Sequence, residues 1–186
     1  MNPRRITIRC RADVPDGPRP EFKRYAYQED QLKETLKPGI RYEHKFVVPT
    51  SKTVPALYPE STEFVAMPEV FATGYLVGFL EWACIKAVNP HLDWPKEQTV
   101  GTHINVSHEA ATPPGLEITA TVELVKVEGR RLVFAVEAHD GVDLISKGQH
   151  ERFVINKEKF DAKIAEKRKG AAQQGAPANA EPALKK

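Results

Sequence analysis

Cysteine is scarce in this sequence, with only Cys10 and Cys84 among 186 residues. One lies near the N-terminus and the other inside an apolar segment, so they do not form a disulfide framework of the kind that holds small secreted domains together. The N-terminal residues also contain no apolar run typical of a signal peptide. These absences predict a soluble protein of the reducing cytoplasm.

A long hydrophobic run and a strong excess of one charge are missing as well. The most apolar stretch, residues 70–88, is interrupted by Thr73, Glu81 and Lys86, so no membrane span is expected. The formal net charge is only +2, and the positive surplus lies in the C-terminal tail. Phosphate binding requires lysines and arginines clustered on a folded face, so no nucleic-acid partner is expected.

The common catalytic and metal-binding motifs are absent too. The sequence contains no HExxH, paired CxxC, GxSxG or GxxxxGK[ST], so zinc hydrolases, serine hydrolases and nucleotide-binding proteins lack support. His103 and His108 are five residues apart, which would place them on opposite faces of a regular strand. We therefore expect no metal and no cofactor.

The length and the 41% content of hydrophobic residues are sufficient for one globular domain. Residues 1–35 mix proline, glycine and charge and are interpreted as an N-terminal extension of uncertain order. Residues 36–168 form the predicted domain. Residues 169–186 contain few large apolar groups and are predicted to be a disordered tail.

The pattern of apolar residues within the domain predicts one long helix and a sheet. The helix is expected from Pro68, suited to a first helical turn, to Val88, just before Asn89-Pro90. The apolar period then changes to two, and turns are expected at Glu128-Gly129 and Asp140-Gly141. The predicted strands are 41–48 before the helix and, after it, a four-strand meander of 99–110, 116–124, 131–138 and 145–155. We expect an α+β fold with the helix in the concavity of a curved antiparallel sheet.

Glu81 is the most unusual residue of the predicted helix, because it lies in its most apolar part. An ionised carboxylate is costly to bury, so it must be paired, hydrogen-bonded, hydrated or protonated. Gly74 and Gly78 lie on the same helix face and leave it thin. Both features are open to a structural explanation, namely an ordinary hydrogen bond and close packing, or to a functional one, a carboxylate facing a substrate.

Two further side chains could take part in chemistry. His108 lies in a predicted strand shortly before a Pro-Pro-Gly break, and a strand end that opens into a loop is a frequent place for a reactive side chain. Thr73 lies near the helix start, and a threonine nucleophile requires a base. Taken alone, each is equally well explained as an ordinary structural residue.

Several longer stretches closely resemble the hot-dog thioesterases of the fluoroacetyl-CoA thioesterase family. They are LYPESTEFVAMPEVFATGYLVGFLEWACIKA, VGTHINVSHEAATPPG, VEGRRLVFAVEAHDGVD and GQHERFVI, and the resemblance covers residues 36–167. It implies a hot-dog fold, in a homodimer whose sheets join and whose active sites lie near the subunit interface, with higher oligomers left open. It also implies hydrolysis of an acyl-CoA thioester to a carboxylate and free CoA without a metal.

The resemblance also implies roles for individual residues. The catalytic threonine, glutamate and histidine of the family fall on Thr73, Glu81 and His108, in the motifs FATG, GFLEWAC and VSHEAATPPG. Gly101 falls on the glycine at the substrate carbonyl, and Arg152 on an arginine that could contact the ligand. His108 and Glu81 would transfer protons and activate water or Thr73. Thr73 and Glu81 are eight residues apart, about 12 Å along an ideal helix, so they cannot touch directly if both are helical. Either Thr73 lies in a bent or pre-helical segment, or His108 and a bound substrate or water span the gap.

The acyl pocket differs from the family pattern at one position. Phe64 matches the first of two phenylalanines that line a lid over the acyl group, whereas the second position is Met67. Methionine is flexible and lacks a rigid aromatic face. We therefore expect a broader short-chain acyl-CoA thioesterase. The alternative is an acyl-CoA-binding hot-dog dimer without catalysis.

Overall fold

The computed structural model describes residues 32–173, so the predicted extension up to residue 31 and the tail beyond residue 173 lie outside the described residues. This part of the chain contains a five-stranded antiparallel sheet, four α-helices and two short 3-10 helices. The strands are β1 Arg41–Val47, β2 Glu97–Val106, β3 Glu117–Glu128, β4 Arg131–His139 and β5 Leu144–Asn156. The helices are α1 Val54–Leu57, α2 Thr62–Val65, α3 Thr73–Val88 and α4 Lys157–Gln173.

The alternating residues form strands as predicted, because every second side chain faces the core. The alternating buried face consists of Ile118, Ala120, Val122 and Leu124 in β3 and Leu132, Phe134, Val136 and Ala138 in β4, while Val133 is buried on the opposite face of β4. The predicted turns are also present, with Gly129 at φ +56° and Gly141 at φ +88°. A positive φ is readily accessible to glycine, which explains the residue type at both turns.

The strand order is β1-β3-β4-β5-β2, so the predicted four-strand meander is wrong. Only β3, β4 and β5 follow one another, and β2 pairs with β5 at one edge of the sheet. The backbones of these two strands approach closely at Gly148, where an added Cβ would lie 2.1 Å from the carbonyl oxygen of Asn105. This pairing joins residues about 50 positions apart, which a local periodicity does not reveal.

Helix α3 lies in the concavity of the sheet and packs against β1, β2, β3 and β4, as predicted for the α+β architecture. The helix begins at Thr73 rather than at Pro68. The preceding residues are not helical, because their backbone pairs with the segment around Thr53: the Val54 N–H donates to the Val70 oxygen at 2.9 Å and the Ala72 N–H to the Lys52 oxygen at 3.1 Å. Thr73 is therefore the first helical residue.

Helix α4 is the last element of the described part of the chain. Helix α4 runs to Gln173, past residue 168, and the Asn156 side chain accepts a hydrogen bond from the Lys159 N–H at 3.0 Å. Cys84 is a buried free thiol, and burial raises its pKa to about 12. Among residues 32–173, no helix combines the length and apolar character that crossing a membrane requires.

Candidate active site

Thr73 and His108 meet at the N-terminal end of α3. The Thr73 hydroxyl lies 2.8 Å from His108 Nδ1, a hydrogen-bond distance. His108 follows β2, and its segment is fixed on both sides: the Glu109 N–H donates to the Ile145 oxygen at 2.9 Å and the Phe71 N–H to the Thr112 oxygen at 2.8 Å. The two predicted residues are thus brought together by a loop that is hydrogen-bonded to β5 and to the start of the helix.

The environment of His108 favours its neutral form. Burial lowers the pKa of His108 below its ordinary value, although a hydrogen bond with the backbone of Ala110 acts in the opposite direction. Its Nε2 atom is buried and has no hydrogen-bond partner within residues 32–173. A neutral imidazole at pH 7 can accept a proton, so this ring has the properties of a general base.

Glu81 lies in the middle of α3 and is paired with a charge from the sheet. Its Oε1 atom is 3.2 Å from Nη1 of Arg152, which is 3% exposed, whereas the Glu81 side chain is 37% exposed. The Arg152 guanidinium is also held by Thr99 of β2, through Nε to the hydroxyl at 2.9 Å and Nη2 to the carbonyl oxygen at 2.8 Å. The carboxylate predicted to need a partner therefore has one.

Gly101 lies directly against the Glu81 carboxylate. A Cβ at this position would lie 2.3 Å from Glu81 Oε1, so only glycine leaves room for the carboxylate as placed. The pairing of β2 with β5 shifts register between Gly101 and His103, an irregularity of the kind that is frequent beside active sites. Gly101, Glu81 and Arg152 form one cluster, which we call the carboxylate cluster.

Within one chain, the predicted catalytic residues lie in two separate groups and not in a single site. Thr73 and Glu81 are both in the regular part of α3, about 12 Å apart along its axis at 1.5 Å per residue. In the described region, the hydrogen bonds of Glu81 involve Arg152, and that of Thr73 involves His108. A bent or pre-helical Thr73 is therefore not the explanation of how the residues cooperate.

His150 belongs to the carboxylate cluster and was missed by the sequence analysis. Its Nε2 atom is 3.0 Å from Arg152 Nη1 and 3.4 Å from Glu81 Oε1. Burial lowers the pKa of His150, and the nearby charge of Arg152 acts in the same direction. A signal was available in β5, because His150 and Arg152 share the alternation of Val154 and so belong to the same buried face of the strand.

The two residues predicted to line the acyl pocket lie in and after α2. Phe64 packs edge-on against Tyr58, with ring centroids 5.0 Å apart, and Met67 is 53% exposed. Gly74 and Gly78 are exposed, and no atom lies within 4 Å of a Cβ built at Gly78. Within one chain these residues do not enclose a pocket.

A cavity of about 240 Å³ opens beside α3. None of the predicted catalytic residues lines it, so we do not assign the chemistry to it. It is lined by Phe46, Lys52, Phe71, Tyr75, Gly78, Phe79 and Trp82. Residues 32–173 also contain no cluster of three or more histidine, cysteine, aspartate or glutamate side chains placed to hold a metal ion.

Comparisons with known proteins give a consistent result. A family model described as fluoroacetyl-CoA-specific thioesterase matches residues 53–158. The fluoroacetyl-CoA thioesterase of Streptantibioticus cattleyicolor is 57% identical over 136 residues, which are 73% of this chain and 97% of that protein.

Solved structures extend the likeness to the fold. A mutant of the fluoroacetyl-CoA thioesterase in complex with fluoroacetate and CoA is 59% identical, with a TM-score of 0.65 over 67% of this chain and 99% of that one. A hypothetical protein of Thermus thermophilus, a thioesterase superfamily member, is 26% identical, with a TM-score of 0.66 over 74% of this chain and 96% of that one. The predicted α+β hot-dog fold is confirmed.

Proposed function

The chain belongs to the fluoroacetyl-CoA-specific thioesterase family, and from this premise we propose that it is an acyl-CoA thioesterase with Thr73, His108 and Glu81 as catalytic residues. The enzyme hydrolyses an acyl-CoA thioester to a carboxylate and free CoA. The observation that carries the residue assignment is the 2.8 Å contact between the Thr73 hydroxyl and His108 Nδ1. A hydroxyl paired with a neutral imidazole is the arrangement that general-base activation requires.

In the proposed reaction, His108 Nδ1 accepts a proton from the Thr73 hydroxyl or from a water molecule bound at that position. The oxygen attacks the thioester carbonyl, and CoA leaves as the thiol after taking up the proton from His108. If water is the nucleophile, the carboxylate forms directly. If Thr73 is the nucleophile, an acyl-threonine ester forms, and a water deprotonated by His108 then hydrolyses it to the carboxylate and restores the Thr73 hydroxyl. Thr73 opens α3 without a side-chain cap at Ala72, so the positive end of the helix dipole faces the developing oxyanion. Gly101 lies against Glu81, far along α3 from Thr73 of the same chain, so the backbone N–H of Gly101 of the partner subunit is the second proposed donor to the substrate carbonyl.

The proposed tautomer of His108 requires a third group, which accepts a hydrogen bond from Nε2. When Nδ1 accepts the Thr73 proton, the ring proton is on Nε2, which is buried and has no partner within residues 32–173. A carboxylate is the usual acceptor for such an N–H, because it orients the base and stabilises the imidazolium that forms. Glu81 of the same chain lies too far along α3 to serve. Glu81 of the partner subunit is therefore the proposed acceptor.

A two-fold axis close to Val77 would produce this arrangement. Thr73, Val77 and Glu81 are spaced four residues apart and lie on one stripe of α3, so a symmetric antiparallel pairing about Val77 sets Thr73 opposite Glu81 of the partner subunit. The exposed Gly74 and Gly78 allow close approach of the second chain. The edge strand β2 is available to join the two sheets. We accordingly assign the enzyme a homodimer with composite sites.

Mixed dimers test this assignment. Subunits carrying Glu81→Gln and subunits carrying His108→Ala should each be nearly inactive alone, with kcat lowered by about 10² to 10⁴-fold. In a refolded equimolar mixture, half of the dimers are mixed and each has one intact composite site, so about a quarter of the wild-type rate should return. Release of the CoA thiol measures the rate. A mixture as inactive as its parents would contradict the composite site, and wild-type turnover of either parent would contradict the catalytic assignment.

The substrate range is proposed from the lid position. Met67 is flexible and 53% exposed, so the lid lacks the second rigid aromatic face that would select one small acyl group. We therefore assign a broader range of short-chain or substituted acyl-CoA esters. Values of kcat/KM for acetyl-, fluoroacetyl- and butyryl-CoA test this, and a strong preference for fluoroacetyl-CoA would contradict it. The scarcity of cysteine supports a cytoplasmic location, and no feature of the site favours a non-catalytic binder.

A further inference from the structure

His150 is a buried polar residue with no role in the reaction as described so far. It lies on β5 and is 1% exposed. Its Nδ1 atom is 2.8 Å from the carbonyl oxygen of His103. A carbonyl oxygen can only accept, so Nδ1 carries the ring proton, and in the neutral ring Nε2 is a bare acceptor. Burial lowers the pKa of His150, in agreement with a neutral ring at pH 7.

Among residues 32–173, the donor to the bare Nε2 atom of His150 is Arg152. Arg152 Nη1 lies 3.0 Å from it and 3.2 Å from Glu81 Oε1. Nη1 has two hydrogens, so one is directed at the imidazole and the other at the carboxylate. The remaining contacts of the guanidinium go to Thr99. His150 thus accepts one of the two Nη1 hydrogens. Without this acceptor, the guanidinium could rotate or bind Glu81 differently.

The same geometry determines which oxygen of Glu81 is held. His150 Nε2 and Glu81 Oε1 are 3.4 Å apart, and both are acceptors, so the imidazole does not itself hold the carboxylate. The described contacts of Glu81 with Arg152 and His150 all involve Oε1. The other oxygen, Oε2, therefore remains available for a proton or for a second donor.

We propose that His150 is a positioning residue which, through Arg152, aims the Glu81 carboxylate so that Oε1 is held and Oε2 faces the reaction. This proposal rests on the catalytic role of Glu81 proposed above. The alternative is a purely structural role, in which His150 is a core residue that only links β2 to β5 through the His103 carbonyl. The two roles use different ring nitrogens, which makes them separable by mutation.

Two amide substitutions at position 150 separate the functions of the two ring nitrogens. In His150→Asn the amide N–H takes the place of Nδ1 and can still donate to the His103 carbonyl, but no acceptor faces Arg152. In His150→Gln the longer side chain places its oxygen near the position of Nε2, where it can accept from Arg152. If His150 positions Glu81, His150→Asn lowers kcat by about 10- to 100-fold, as for other outer partners of reacting groups, with KM nearly unchanged. His150→Gln stays within a few-fold of the wild-type kcat.

The opposite ranking, or equal kcat values for wild type and a folded His150→Asn, would overturn the proposal. Coupling to Glu81 provides a second test, because His150→Asn should cause little further loss of kcat in a Glu81→Gln background. If Glu81→Gln itself turns over like the wild type, it is the proposed function that fails.

A measurement on the wild-type protein covers the case in which the variants do not fold. Nitrogen-15 spectra of the histidine rings distinguish the two neutral tautomers. His150 should have the proton on Nδ1 and a bare Nε2 at pH 7, and a proton on Nε2 would overturn the proposal.

Discussion

The substitution Gly101→Ala tests the carboxylate cluster most directly. The new Cβ would lie 2.3 Å from Glu81 Oε1 and 3.2 Å from His150 Cε1, whereas ordinary contact begins at 3.4 Å. The carboxylate must therefore retreat by roughly 1 Å. Gly101 is not among the glycines with positive φ, so alanine meets no backbone strain there.

A shift of about 1 Å is enough to break the 3.2 Å contact between Glu81 and Arg152. Misplacement of a reacting group by about 1 Å can lower a rate by 10²-fold, so kcat of Gly101→Ala should fall by about that factor. Gly101 is exposed and strands favour alanine over glycine, so the free energy of unfolding should change by less than about 1 kcal/mol. The assay is release of the CoA thiol at saturating acyl-CoA, with urea unfolding measured on the same preparation.

Two controls separate this explanation from others. Gly170→Ala introduces the same side chain in α4, where no atom lies within 4 Å, and should leave kcat unchanged. In a Glu81→Gln background, Gly101→Ala should cause little further loss, because both changes act on one side chain. Full activity of Gly101→Ala would refute the reasoning. An equal loss in both backgrounds would instead assign the effect to the backbone of Gly101.

Three further outcomes follow from the structure. Burial lowers the pKa values of His44, His108 and His150 below 6.5, so the unfolded chain binds more protons than the folded one. The free energy of unfolding from urea titrations should therefore fall as the pH drops below about 6.5. His150 alone should contribute up to about 1.4 kcal/mol per pH unit. Met67→Phe restores the second aromatic lid residue and should lower kcat/KM for butyryl-CoA by about 10-fold relative to acetyl-CoA, which the thiol assay measures. Asp140→Asn removes a buried charge that accepts from the Thr112 hydroxyl at 2.9 Å and from two backbone N–H groups, and should lower the free energy of unfolding by about 1 to 2 kcal/mol in urea without a change in KM.

The strands and turns of the sheet could be predicted because their cause is local. Alternation of apolar residues in β3 and β4 and the glycines at 129 and 141 determine the strand faces and the turns without reference to distant residues. The start of α3 could not, since Pro68 is a suitable first helical residue and only pairing with the distant Thr53 segment keeps residues 70–72 out of the helix. The place of β2 beside β5 is likewise set by distant contacts.

The same distinction between local and distant causes applies to the candidate site. The need of Glu81 for a partner follows from the cost of burying a charge, and the sequence is sufficient to state it. That the partner is Arg152, held by Thr99 and His150, depends on the pairing of β2 with β5. The grouping of Thr73 with His108, away from Glu81, depends on where α3 begins.

The separation of Thr73 from Glu81 is fixed by the helix rather than by side-chain choice. Both residues lie in α3, whose backbone hydrogen bonds and buried face hold the distance near 12 Å. No rotamer change closes such a gap, so Thr73 and Glu81 of one chain cannot contact each other directly. The same rigidity is an advantage once a second chain is present, because groups held on a packed helix lose little orientation when the substrate binds. In the proposed function, the charge in the apolar helix is one half of a site that a second chain completes.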